Sequence, residues 1–152
     1  MDFFKAIENG AFFARLLNNA VFVEAKIINI VSKGNLTLND TKILYAIAYL
    51  SESNKSTIKN IADYLYLSPA ACSRTVNQLI KNKYVELTKS KIDKRVAYLS
   101  LTQISKEFIN QINLYHVRLY YGLKDSFDNE KLLDTLEVLK KLDNLVVEQK
   151  LL

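Results

Sequence analysis

Residues 68–101 constrain the fold of this chain more than any other stretch. They read SPAACSRTVNQLIKNKYVELTKSKIDKRVAYLSL. A serine followed by a proline is a helix start. The short hydroxyl can accept the orphaned N–H groups of the first turn, and proline suits the first helical position because its missing N–H would be unpaired there anyway. The residues that follow separate into two stripes at helical spacing. Cys72, Val76, Leu79 and Ile80 make an apolar one; Ser73, Arg74, Asn77, Gln78 and Lys81 make a polar one with no apolar member. A helix face of long donors suits a DNA major groove, where Arg, Asn, Gln and Ser pair with base edges. The helical pattern fades at Asn82-Lys83. Two β-rich runs, residues 84–87 and 96–101, then flank a charged segment whose one apolar residue is Ile92. That spacing predicts a hairpin directly after the helix, which is a wing.

The charge sits in the same place. The chain of 152 residues carries a formal net charge of +5. Residues 37–101 hold ten basic and five acidic side chains, a balance of +5, whereas residues 1–36 balance at +1 and residues 102–152 at −1. Residues 68–101 alone carry seven basic and two acidic side chains. A charge run is commonly just a solvated surface. Concentrated on a helix and hairpin, it makes a field that attracts a polyanion with salt-dependent affinity.

Three glycines and one proline in 152 residues argue for a largely helical chain, long enough to bury a core without staples. Residues 3–31 read as one long apolar-rich helix interrupted at Asn9-Gly10, with Phe13, Leu16, Leu17, Ala20, Val23, Ile27, Ile30 and Val31 at three- and four-residue steps. The stripe suits burial against a second subunit, although periodicity alone does not say whose core a helix enters. Gly34 is placed to cap that helix in a left-handed conformation. Thr37 with Asp40, and Thr57, open the next two helices; Ile43, Leu44, Ile47, Ala48 and Leu50, then Ile61, Ala62 and Leu65, point inward. Two short helices joined at Tyr66-Leu67 form a helix-turn-helix. After the hairpin, Thr102 caps a helix carrying Ile104, Phe108, Ile112, Tyr115 and Leu119, and a leucine-rich helix starts near Glu130. The expected fold is therefore mainly α with a small β-hairpin wing. A winged helix-turn-helix DNA-binding region spans 37–101, and a helical dimerisation region comes from 1–36 and 102–152.

This order resembles the MarR family of winged-helix transcriptional regulators over nearly the whole chain. The specific matches are Ile61-Ala62-Asp63-Tyr64-Leu65, Leu67-Ser68-Pro69, Ser73-Arg74-Thr75-Val76, Leu79, Asp93-Lys94-Arg95 and Leu99-Ser100-Leu101-Thr102. The resemblance implies a cytoplasmic homodimer, most simply a repressor, on double-stranded DNA with a pseudo-palindromic operator. It also implies that a small-molecule effector or an oxidant tunes DNA affinity from a crevice between the two regions; Phe12, Phe13, Tyr45 and Tyr115 are pocket candidates, though such aromatics are often plain core. Arg74, Asn77 and Gln78 are the candidates for base edges, and Ser68, Ser73, Lys81, Lys89, Lys91 and Lys94 for phosphates. Arg95 has two readings: minor-groove insertion, or a pair with Asp93 that shapes the wing. The sequence departs from the family where glycines are usual, with Tyr66 in the turn, Lys83 before the first wing strand and Ser105 after Leu-Thr, and it has Leu87 where a basic residue often starts the wing.

Other chemistries find little support. The three glycines are isolated, so there is no phosphate-cradling loop, and His116 has no nucleophile and carboxylate placed with it. Neither an enzyme, a cofactor nor a metal site is expected. One cysteine forms no internal disulfide and fits a reducing compartment. Cys72 on the inward stripe reads as a small hydrophobe, although its place near a helix N-terminus could lower its pKa and suit a redox switch. No run is long enough to span a membrane, and Met1-Asp2-Phe3-Phe4 lacks the basic start of a signal peptide. The alternative is a winged-helix protein-interaction module without operator recognition. Such a module would be expected to carry apolar anchors where the polar stripe stands.

Overall fold

The computed structural model describes residues 3–53, 55–90, 93, 95–123, 126 and 128–147, with side chains left undescribed at 3–10, 12, 13, 16, 123, 129, 132, 136 and 142–147. The elements run α1 (Phe3–Ser32), α2 (Leu38–Ser51), α3 (Ile58–Tyr64), α4 (Pro69–Lys81), β1 (Val85–Lys89), β2 (Ala97–Leu101), α5 (Gln103–Leu123) and α6 (Asn129–Val147). The mainly helical fold with one hairpin is the fold class expected. The chain divides into two compact units, residues 1–113 and 114–152.

Local chemistry sets the helix starts of the first unit. Thr37 Oγ1 accepts from the Asp40 N–H at 3.2 Å, while Asp40 Oδ2 accepts from the Thr37 N–H at 2.8 Å, a reciprocal capping box. Thr57 caps α3 by accepting from the Asn60 N–H and Ser68 caps α4 by accepting from the Ala71 N–H, with Pro69 at the first helical position. The core is Ile28, Leu36, Ile43, Leu44, Ala46, Ile47, Ile61, Ala62, Cys72, Val76, Leu79, Val85, Leu99, Phe108 and Ile112. One face of each helix and the first residues of the wing supply it.

The hairpin pairs β1 with β2 antiparallel, from Val85 opposite Leu101 to Lys89 opposite Ala97. Its base is tied down on both sides. Leu99 N–H donates to the Ser56 carbonyl at 2.8 Å and the buried Ser56 hydroxyl donates to the Leu99 carbonyl at 2.7 Å. The Tyr84 carbonyl accepts from the hydroxyls of Thr102, at 3.2 Å, and of Ser105. Serine at a position where glycine is usual thus anchors the start of α5 to the base of the wing. Val85 is buried but Leu87, on the same strand face, is exposed, because the hairpin leaves the body of the unit.

Two expectations need correction and one, the left-handed Gly34, is extended. Helix α1 runs through Asn9-Gly10 without a break; a glycine inside a helix costs only about 1 kcal/mol, which flanking turns can absorb. The left-handed cap of α1 falls first on Lys33 (φ 54°), with Gly34 (φ 80°) following it. β1 reaches two residues further into the loop than the run 84–87, because pairing continues through Thr88 and Lys89, while β2 starts at Ala97, one residue after the start of the run 96–101.

Lys33, Tyr66 and Lys83 share one geometry. Each has φ between 53° and 63° and follows a helix. In each case the next residue's N–H reaches five residues back: Gly34 to Asn29 at 2.9 Å, Leu67 to Ala62 at 2.9 Å, Tyr84 to Leu79 at 2.9 Å. These are Schellman closures with a side-chain-bearing residue in the place that glycine usually takes. The turn of the helix-turn-helix therefore keeps its shape and accepts the tyrosine, at a cost of about 1–2 kcal/mol for the left-handed conformation.

In the second unit, the end of α5 and α6 show apolar side chains to solvent. Leu114, Val117, Leu119, Tyr120, Tyr121, Leu133, Val138 and Leu139 are all exposed in the single chain.

Candidate nucleic-acid interface

Helix α4 separates into the two faces its sequence implies. Cys72, Val76 and Leu79 are buried and Ile80 is half-buried. Arg74, Asn77, Gln78 and Lys81, spaced i, i+3, i+4 and i+7, are exposed together on the other side. Ser73 is half-buried at the margin of that stripe. The Ser68 hydroxyl accepts from the Ala71 N–H at 3.2 Å, so its lone pair holds the helix start while its own hydrogen stays available to donate outward.

The wing tip is ordered by Asp93. Its N–H donates to Ser90 Oγ at 3.2 Å, and its Oδ1 accepts from the Arg95 N–H at 3.0 Å and from Arg95 Nε at 3.3 Å. Val96 N–H closes the turn on the Asp93 carbonyl at 2.9 Å. The Arg95 side chain is nonetheless 93% exposed, so the ion pair adds little stability and acts on geometry. The two readings of Arg95 are compatible: Asp93 shapes the tip and leaves the guanidinium facing solvent. Lys89 is exposed at the end of β1. Lys91 and Lys94 lie outside the described residues. Two further cations, Lys59 on α3 and Lys83 after α4, are also exposed. For Lys59 the signal available was position, since the first helix of a helix-turn-helix crosses the DNA backbone.

A sequence model of the family described as "Transcriptional regulator SarA/Rot" matches residues 26–112, more than half of the chain and all of the winged helix. The chain belongs to the SarA/Rot family of transcriptional regulators. Comparison with curated protein sequences gives no match. Among solved structures, this SarA/Rot protein is similar to FabT of Streptococcus pneumoniae in complex with DNA, at 15% identity and a TM-score of 0.77, over 94% of this chain and 98% of that one. It is also similar to a MarR/EmrR family transcriptional regulator from an Acinetobacter species, at 25% identity and a TM-score of 0.68, over 94% and 97% of the two chains. A third is Staphylococcus aureus MarR in complex with salicylate and kanamycin, at 17% identity and a TM-score of 0.75, over 96% and 95%. Family and fold are those of transcription regulators and not of enzymes.

The remaining candidates of this SarA/Rot chain are placed as follows. The Tyr45 hydroxyl donates to Asn113 Oδ1 at 3.3 Å; burial, and then the charge of Glu24, push its pKa up. Tyr115 is half-buried in the second unit, and the side chains of Phe12 and Phe13 lie outside the described residues. A cleft of about 410 Å³ opens between α2, β2 and α5, lined by Ala48, Ser51, Ser100, Leu101, Lys106, Ile109 and Asn110. Cys72 is fully buried, and its thiol donates to the Ile58 carbonyl at 3.6 Å. Burial pushes the thiol pKa up, which fits the small-hydrophobe reading and not the lowering that a helix N-terminus could give. A protonated, inaccessible thiol behaves as a small hydrophobe. Among the described residues no group of His, Cys, Asp and Glu could hold a metal ion, and no helix is long and apolar enough to cross a membrane.

Proposed function

We propose that this chain is a homodimeric, sequence-specific repressor of transcription, working in the cytoplasm on a pseudo-palindromic operator in double-stranded DNA. The observation that carries the reading is the exposed Arg74, Asn77, Gln78 and Lys81 stripe on a helix whose opposite face is locked into the core. Arg74, Asn77 and Gln78 read base edges in the major groove; Ser68, Ser73, Lys81 and Lys89, with Lys91 and Lys94 by position, hold phosphates. Arg95 enters the neighbouring minor groove, where a narrow A·T-rich tract concentrates negative potential. FabT, of the same fold, was solved on DNA, which supports this docking.

Residues 37–101 do the DNA binding in this reading, and residues 1–36 and 102–152 form the dimer. Leu17, Val21, Phe22, Val23 and Ile30 of α1 are exposed in the single chain, and covering them with a second copy is the simplest way to keep them from water. A small effector tunes the affinity, as the resemblance to ligand-bound MarR suggests; the cleft by α2, β2 and α5 is roomy enough for one.

The test is a fluorescence-anisotropy titration of the protein against duplex DNA flanking its own gene, beside a scrambled duplex, at two salt concentrations. Tight, salt-sensitive binding to the first over the second is the expected result. Equal, weak binding to both overturns operator recognition and favours a protein-docking winged helix.

A further inference from the structure

The turn before the recognition helix holds a residue that its own geometry disfavours. Tyr66 has φ 53°, in the left-handed region, and is 78% exposed, so it gains little from packing. Tyr64, two residues earlier, stacks on Tyr49 with ring centroids 5.4 Å apart. Among the described residues the Tyr66 hydroxyl has no hydrogen-bond partner. Glycine would make this turn without the strain. The other two left-handed caps, Lys33 and Lys83, each bring a cation to a helix C-terminus, where the carbonyl end of the dipole favours positive charge. Tyrosine brings none, so that explanation stops at Tyr66. A strained residue whose side chain gains little packing and makes no bond among the described residues points to a task outside the chain.

We propose that Tyr66 is a DNA-backbone contact: its hydroxyl donates to a phosphate beside the place where α4 meets the major groove. The position fits, since Tyr66 stands two residues before the Ser68 cap of α4. A phenol held stiffly on a tight turn is an uncharged donor with few torsions to freeze on binding. The contact is blind to base sequence, so it adds affinity on any duplex and leaves the specificity ratio alone. This inference rests on the reading of the chain as a duplex-DNA regulator.

The experiment titrates wild type, Tyr66→Gly, Tyr66→Phe and Lys81→Gln against the duplex flanking the gene and its scrambled partner, across a salt series. Both Tyr66 variants are expected to weaken binding roughly tenfold on both duplexes, the range of a hydrogen bond to a charged group. Their salt slope is expected to match wild type, because a neutral donor releases no counterion, whereas Lys81→Gln flattens the slope by about one unit. Tyr66→Gly is expected to melt no lower than wild type, since it relieves the left-handed strain. Wild-type-like affinity in both Tyr66 variants overturns the contact. So does loss in Tyr66→Gly alone, which would assign the effect to the ring. A flattened slope in either variant, or a lower melting temperature for Tyr66→Gly, overturns it as well. Those results all presuppose a wild type that prefers its own duplex; a wild type without that preference sinks the operator reading and takes this contact with it.

Discussion

The winged helix and the terminal helices use apolar residues in opposite ways. In the winged helix, Ile43, Ile47, Ile61, Val76, Leu79 and Leu99 are sealed from water, and the caps of α2, α3 and α4 are filled from within three residues. In α1, Phe22 is 64% exposed and Val21, Val23 and Ile30 are close behind; α6 shows Leu133, Val138 and Leu139 to solvent. Both regions have the same kind of sequence, amphipathic helices rich in Ile, Leu and Val. The difference lies in what covers the apolar face. The winged helix closes its core with Ile28 of α1 and with Phe108 and Ile112 of α5, while other faces of the terminal helices are exposed in the single chain. In the proposed function, the covered part reads DNA and the uncovered faces meet a second copy.

The largest effects should separate the two regions by concentration. Leu79→Ala opens a cavity in a closed core and is expected to cost about 2–5 kcal/mol, measured by urea denaturation, whatever the protein concentration. Val23→Glu with Ile30→Glu, one α1 face at heptad spacing, is expected to yield monomers in sedimentation, with a loss of stability that shrinks as concentration rises. A dimer that survives the glutamates would move the interface elsewhere and leave the contrast between the regions without its physical basis.

The same contrast explains what could be read from the chain. The two faces of α4 were legible because Ser68, Cys72, Arg74, Val76, Asn77, Gln78 and Leu79 lie within one helix, where spacing alone decides neighbours. The caps were legible for the same reason. The left-handed residues were half legible: the missing glycines at Tyr66 and Lys83 marked the places, but the closure at Lys33, one residue ahead of Gly34, depends on where α1 stops against the core. The inward place of Cys72 was legible from helical spacing, but that burial outweighs the helix N-terminus at its thiol is a tertiary matter that spacing does not carry. Leu87 alternates correctly with Val85, yet only the path of the hairpin decides that one is buried and the other not.

A sharper test changes function without touching the core. Arg74 is exposed and lies on the face opposite Val76 and Leu79. Arg74→Ala is expected to leave the melting temperature nearly unchanged and to cost about 1–3 kcal/mol on the specific duplex, with little loss on scrambled DNA. Equal losses on both would reassign Arg74 from base reading to phosphate. A matching loss of stability would mean that the exposed stripe supports the fold, and the division between a sealed face and a reading face would fail.

The smallest effect asks whether the winged helix is complete down to its helix ends. Thr37 shares a reciprocal pair of bonds with Asp40, at 3.2 Å and 2.8 Å, and its hydroxyl also donates to Asp40 Oδ2 at 2.7 Å. Thr37→Ala removes the acceptor for the Asp40 N–H while leaving the backbone path open, and is expected to cost about 1 kcal/mol at any protein concentration. The double variant Thr37→Ala with Asp40→Ala should cost less than the sum of the two single changes, because each residue loses its partner when the other goes. Additive costs would show that the box is geometry without coupling. A concentration-dependent cost would tie α2 to the dimer, and the winged helix would then share the dependence that now distinguishes the terminal helices.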